Sequence, residues 1–223
     1  MRRQIRRQIR TPGKGPFAWK GVPWAIGSLF LIIATVALYF STATAASRPS
    51  LAEKPGASDI TYGPATAQVV LVEYSDFQCQ FCAEYAKILG PLREKYRDQV
   101  RFVFRFFPLS NHEYGMISAQ AAYAAFLQDK FWEMHDLIYA NQREWSESDD
   151  PRPYFDTYAS QVGLDIDKFH EDLDAEATKD FVSGQRSEGD KAGVTHTPWF
   201  IINDLVVTPR TAADFESLFQ ERL

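Results

Sequence analysis

Two apolar runs, QVVLVEYS (68–75) and QVRFVFRFF (99–107), stand on either side of a stretch with helical spacing, and that order leaves few folds open. The first run is short and β-branched, which suits a buried strand. The second alternates Val100, Phe102, Phe104 and Phe106 against Arg101 and Arg105, the period-two pattern of a strand, and ends at Pro108. Between them Ala83, Ala86, Leu89 and Leu92 recur at helical spacing, with a kink expected at Pro91 in a helix over 80–97. Strand, helix, strand in sequence requires a parallel pair joined by a right-handed crossover, so the core is α/β.

The rest of the chain adds to this unit. From Asn111 to about Trp145 the sequence is alanine-rich and helically periodic, and residues 154–192 read as helical too, with Asp165 or Asp167 as a helix start. WFIIN (199–203) and LVV (205–207) read as an antiparallel hairpin turning at Asn203 and Asp204. In the closing TAADFESLFQERL, Thr211 and Asp214 suit a helix start, and Phe215, Leu218 and Phe219 form one stripe. Two sheet halves therefore flank a helical insertion at about 110–192, within a domain over 59–223.

The first 46 residues follow a different logic. Seven basic residues lie at or before Lys20, whereas the first acidic residue is Glu53. Of 24 basic and 29 acidic residues, 17 basic and all 29 acidic ones thus follow position 20, a formal charge of −12. No side chain between Lys20 and Arg48 is charged, and WAIGSLFLIIATVALYF (24–40) is almost wholly apolar. A helix of that length spans roughly 26 Å, and the small residues 41–46 extend it toward 30 Å. The expectation is a basic cytoplasmic segment (1–20), a transmembrane anchor (21–46), a Pro- and Ser-containing linker (47–58) and an extracytoplasmic domain at the cell membrane. A cleaved signal peptide ending near Ala43, Thr44 and Ala45 is the rival and exports the domain equally. No cysteine directly follows the apolar run to accept a lipid. The adjoining apolar segment weighs against a nucleic-acid patch for the basic run.

The only two cysteines, Cys79 and Cys82, enclose Gln80 and Phe81. As a staple, so short a loop contributes only about 2 kcal/mol. As half a zinc site it lacks a second ligand pair: His112, His135, His170 and His196 show no matching spacing, although folding could bring His196 near. The redox reading explains more. A cysteine between a strand end and the first turn of a helix meets unpaired N–H groups and the positive end of the helix dipole, which favour thiolate. Cys79 is then the nucleophile, and Cys82, one turn on, resolves a mixed disulfide. No phosphate-cradling glycine loop or Gly-x-Ser-x-Gly accompanies the pair, and neither cofactor nor metal is expected. The acidic group Glu147, Asp149 and Asp150 reads as a solvated loop.

VVLVEYSDFQCQFC, VRFVFRFFPLS, the helical block with KFWEMHDLIY, and GVTHTPWFIIN resemble, in this order, the DsbA-like branch of the thioredoxin superfamily over about residues 58–223. The resemblance implies a thioredoxin fold with an inserted helical domain. It marks Cys79 as the exposed nucleophile, Cys82 as the buried resolving thiol, and Pro198 as a cis-proline whose neighbour Thr197 offers backbone to an extended substrate. Glu73 looks like the buried acid beneath the pair, able to relay the proton of Cys82, although a strand position facing water is also open and Asp76 is a rival or a cap. The sequence departs from the branch at Gln80 and Phe81, where proline often comes first and no charge now supports the thiolate, and at His196, where glycine is common and a titratable ring either assists Cys79 electrostatically or caps a turn. Gln80, Phe81, His196 and Thr197 are the candidate substrate contacts. The implied activity is a thiol-disulfide oxidoreductase acting on exported proteins as an oxidase and reoxidised by a membrane partner, which the resemblance suggests is quinone-linked. A reductase or isomerase fed by a membrane donor is the runner-up, and a redox-inactive binding module or metal chaperone is the third reading.

Overall fold

A computed structural model describes Gly56 and residues 59–223; the basic segment 1–20, the apolar span 21–46 and the linker apart from Gly56 lie outside the described residues. Among the described residues no helix is long and apolar enough to cross a membrane.

One five-stranded sheet organises the domain, with strands β1 (Ile60–Tyr62), β2 (Val69–Ser75), β3 (Val100–Phe106), β4 (Trp199–Ile202) and β5 (Leu205–Val207) in the order β1-β3-β2-β4-β5. The two apolar runs are the parallel pair β2 and β3, joined by helix α1 (Gln80–Lys95). α1 ends two residues earlier than the spacing suggested and continues through Pro91 as one element. β1, β4 and β5 pair antiparallel with β3, β2 and β4 respectively. β1 left no sequence signal, because three residues are too few to show a period.

β3 departs from the alternation read in its sequence. Arg105 is buried, where it pairs with Asp59 at 3.1 Å and donates to the Tyr74 hydroxyl at 2.9 Å. The polar positions of this strand therefore do not mark a solvated face, because the Asp59 carboxylate and the Tyr74 hydroxyl meet Arg105 there.

Six helices lie between β3 and β4: α2 (Gly115–Phe126), α3 (Phe131–Ala140), α4 (Gln142–Ser146), α5 (Arg152–Gln161), α6 (Ile166–Asp174) and α7 (Glu176–Lys191). The alanine-rich stretch is thus three helices. α2 stops where Asp129 takes a left-handed conformation (φ 59°) and Lys130 N–H returns to the Ala125 carbonyl. Asp165 caps α6 by accepting from Lys168 N–H. The alanines of α2 let Phe104, Phe106, Phe131, Trp145 and Phe155 join one core between sheet and insertion. A second core forms where α1 and α8 (Ala212–Gln220) cover Leu71, Phe102 and Phe200. Thr211 and Asp214 close a reciprocal capping box at the start of α8.

The hairpin turns on two residues. Asn203 (φ 45°) and Asp204 (φ 68°) both adopt the left-handed conformation of a type I′ turn, whose twist matches that of its strands. Asn203 also accepts from Val70 N–H at 2.8 Å and donates to the Gln68 carbonyl at 2.9 Å, fixing the hairpin against the start of β2. Asn203→Ala removes both bonds and places a Cβ-only residue in the left-handed region, so urea unfolding should show a loss of about 2–3 kcal/mol; a loss under 0.5 kcal/mol contradicts this account of the turn.

Candidate active site

The chain leaves β2 at Ser75 and reverses through Asp76, Phe77 and Gln78 before entering α1. Three contacts shape this loop. The Cys79 N–H donates to the Asp76 carbonyl at 3.0 Å. The Asp76 carboxylate accepts from the N–H groups of Gln78 and Leu109, each at 2.7 Å, and meets His112 Nδ1 at 2.7 Å. The Phe77 ring is fully buried, stacked on Phe104 and 4.6 Å from the Tyr139 ring. Asp76 therefore staples the loop.

Cys79 is the N-cap of α1, in extended backbone (φ −73°, ψ 120°), and Cys82 lies in the first turn. Both thiols are free. The expectation of an exposed nucleophile needs correcting: Cys79 is only 6% exposed, because the Thr197 segment closes over it, while Cys82 is fully buried. The Cys79 thiol donates to the Thr197 carbonyl at 3.5 Å.

The two sulfurs differ sharply in acidity. A hydrogen bond from Cys82 is the main cause that lowers Cys79 from the ordinary 9.0 to about 6, outweighing partial burial; the Thr197 side chain and the N–H groups of Cys82 and Phe81 add to it. Cys82 moves the other way, driven up by burial and by the hydrogen bond and negative charge of its neighbour, with Glu73 adding to the effect. The Thr197 hydroxyl is buried and has no hydrogen-bond partner among the described residues, which leaves it available to a thiolate.

Glu73 faces inward, which resolves the choice its sequence left open. It lies on the central strand between Phe104 of β3 and Phe200 of β4, and burial raises its pKa from 4.5 to about 7. The Ser75 hydroxyl donates to its carboxyl at 2.7 Å and lies 2.8 Å from the Tyr139 hydroxyl. A cavity of about 20 Å3 beside Glu73, Arg93, Trp132 and His135 has room for one water, and Arg93 Nε, buried, has no partner among the described residues. Sequence inspection missed Ser75, Tyr139 and Arg93: their roles come from lying on one face of β2 and on helices that pack against it, which no local motif records.

The Thr197–Pro198 peptide is cis. His196, in contrast, is exposed, its ring 4.8 Å from that of Trp199 and its Nδ1 3.3 Å from the Thr195 hydroxyl. It is not among the groups that govern the acidity of Cys79. Gln80 is exposed and Phe81 is 72% exposed, so an aromatic ring stands in solvent beside the nucleophile. Among the described residues no cluster of three or more His, Cys, Asp or Glu side chains could hold a metal ion.

A family model described as Thioredoxin matches residues 56–221. The chain belongs to the thioredoxin family. Among solved structures, this thioredoxin-family domain is similar to Wolbachia pipientis α-DsbA1 (19% identity, TM-score 0.67, covering 76% of this chain and 93% of that one). It is similar also to oxidised BdbD from Bacillus subtilis (19% identity, TM-score 0.66, covering 74% and 92%). The likeness extends across sheet and insertion and shows a shared fold. A curated relative, Na(+)/H(+) antiporter NhaA 3 of Salinispora tropica, is 37% identical over 146 residues, which are 65% of this chain and 22% of the antiporter. The chain thus spans less than a quarter of the length of the curated relatives it matches.

Two measurements test this electrostatic picture of the thioredoxin-family site. In the reduced protein, thiolate absorbance at 240 nm should titrate with a midpoint near pH 6, and Cys79→Ser should abolish that step; a midpoint above pH 8 contradicts the assignment. For Glu73 the folded pKa lies above the unfolded one, so stability is full below the unfolded value of 4.5 and is lost as pH rises through about 7. Glu73→Gln should therefore raise stability at pH 8 by about 3 kcal/mol and leave it nearly unchanged at pH 4; equal effects at both pH values contradict a buried, neutral-preferring acid.

Proposed function

We propose that the protein is an extracytoplasmic thiol-disulfide oxidoreductase, tethered to the membrane by residues 21–46, that donates a Cys79–Cys82 disulfide to exported proteins. The observation that carries this reading is the split in acidity across the pair, with Cys79 near 6 and Cys82 well above 9.0.

A substrate thiolate attacks the Cys79 sulfur; the bond to Cys82 breaks, and the electron pair leaves on the Cys82 sulfur. That sulfur is a poor thiolate in its apolar site, and Glu73, half-protonated near neutrality, is placed to supply the proton it takes up. A second substrate thiolate then attacks the substrate sulfur of the mixed disulfide and expels Cys79 as a thiolate. Two substrate thiols have become a disulfide, and the pair is left reduced. Cys79 is the better leaving group of the two for this last step, since the lower-pKa thiol leaves faster. Restoring the disulfide requires an oxidant, for which we assign a membrane partner, quinone-linked in the manner the family resemblance suggests. Thr197 and Pro198 line the approach to the sulfur, and exposed Phe81 offers the incoming chain an apolar contact.

The same acidity supports the oxidase direction. At pH 7 a thiol with a pKa near 6 is about 90% ionised, against about 1% for an unperturbed one. The reduced form gains about tenfold, which makes the pair about 30 mV more oxidising than an otherwise equal dithiol. The basic segment and the uncharged apolar run support an outside location, where disulfides persist.

Equilibration with glutathione tests the oxidase reading. The potential should lie at least about 20 mV above the roughly −270 mV of a reducing thioredoxin, whose nucleophile has a pKa near 7, and Cys82→Ser should accumulate mixed disulfides with exported proteins. A potential at or below −270 mV sinks the oxidase in favour of the reductase; full activity in Cys79→Ser sinks the redox function itself.

A further inference from the structure

The loop that carries the nucleophile is held from outside the sheet. Gln142, the first residue of α4, is buried, and its Nε2 donates to two backbone carbonyls of that loop: Phe77 at 2.6 Å and Cys79 at 2.8 Å. A primary amide nitrogen carries two hydrogens, and carbonyls only accept, so both hydrogens are engaged and the orientation of the side chain is fixed by its partners. Gln142 lies 65 and 63 positions from the residues it grips. Its own helix is anchored by Trp145, which is fully buried, donates to the Ile138 carbonyl at 2.8 Å and packs its ring against Phe155. The insertion holds the same loop a second time through Tyr114 N–H, which donates to the Gln78 side chain at 2.6 Å.

We propose that Gln142 is a positioning residue, through which the helical insertion fixes the Phe77–Cys79 backbone in the shape that aims the first amide hydrogens of α1 at the Cys79 sulfur. The physical argument is local. Two carbonyls two residues apart can share one nitrogen only while the chain between them stays curved, and the extended conformation of Cys79 at the end of that curve brings its sulfur over the N–H groups of Phe81 and Cys82. The Cys79 carbonyl also accepts the Ala83 N–H at 3.2 Å, the first bond of the helix, so Gln142 and the helix start share an acceptor. Without Gln142 the loop can rotate, the donors lose their aim, and the thiolate loses part of its stabilisation. The insertion thereby sets the chemistry of the pair as well as covering it.

This inference rests on the oxidoreductase reading, and its test keeps the two apart. In reduced Gln142→Met, which keeps the length and loses both donors, the midpoint of the Cys79 thiolate titration should rise by about one unit. The equilibrium with glutathione at pH 7 should shift about fivefold toward the disulfide, about 20 mV more reducing, while unfolding stays cooperative. Gln142→Ala should match it. In the wild-type protein, the Gln142 side-chain amide proton resonances should shift with the same midpoint as the thiolate, a readout that needs no variant to fold. Unchanged midpoint and potential in folded Gln142→Met, or amide resonances that do not follow the thiolate, overturn the proposal. A wild-type pair that fails to exchange with glutathione overturns the functional reading instead.

Discussion

A sulfur anion in a protein persists only where donors already point at it, and Cys79 has such donors because of where the chain places it. The sheet delivers β2 to its end at Ser75, the Asp76 loop reverses the chain, and α1 starts with its free N–H groups around the sulfur. The strongest donor is the partner thiol itself. Cys82 is buried too deeply to ionise readily, so it keeps its proton and offers it to Cys79. Burial keeps the proton on Cys82, and the hydrogen bond that this proton makes is the largest of the effects that stabilise the Cys79 thiolate.

The remaining buried polar groups fit round that asymmetry. The charge of Glu73, on the central strand, acts on the protonated sulfur, and burial holds this acid near the pH at which a proton can be given or taken. Ser75 and Tyr139 orient it from one side, and the small cavity toward Arg93 and His135 adjoins it on the other. The insertion supplies Tyr139, His135 and Gln142, so half of the groups that shape the site come from helices with no catalytic motif of their own.

Much of the fold was legible because it rests on local patterns. The β2 run, the Asn203–Asp204 turn and the Thr211–Asp214 cap follow from side chains acting on their own backbone, and all three stand where the residues indicated. The failures were tertiary. β1 was too short to announce itself, and Arg105 mimicked a solvent-facing position until Asp59 and Tyr74 were brought to it by the fold. At the site, the cysteine spacing pointed to the chemistry, but the depth of Cys79, the inward face of Glu73 and the exposure of His196 depend on which loop closes over which strand. The cis peptide at Pro198, suggested by family resemblance alone, is present.

The claim on which the account turns is that this pair works as an electron acceptor outside the cytosol. Its most direct test is the redox state of Cys79 and Cys82 in growing cells, fixed by rapid acid quenching, followed by alkylation of free thiols and mass measurement. The account predicts a population found mainly as the disulfide, shifting to the dithiol when respiratory quinone is depleted. A pair found mainly as the dithiol in untreated cells contradicts it.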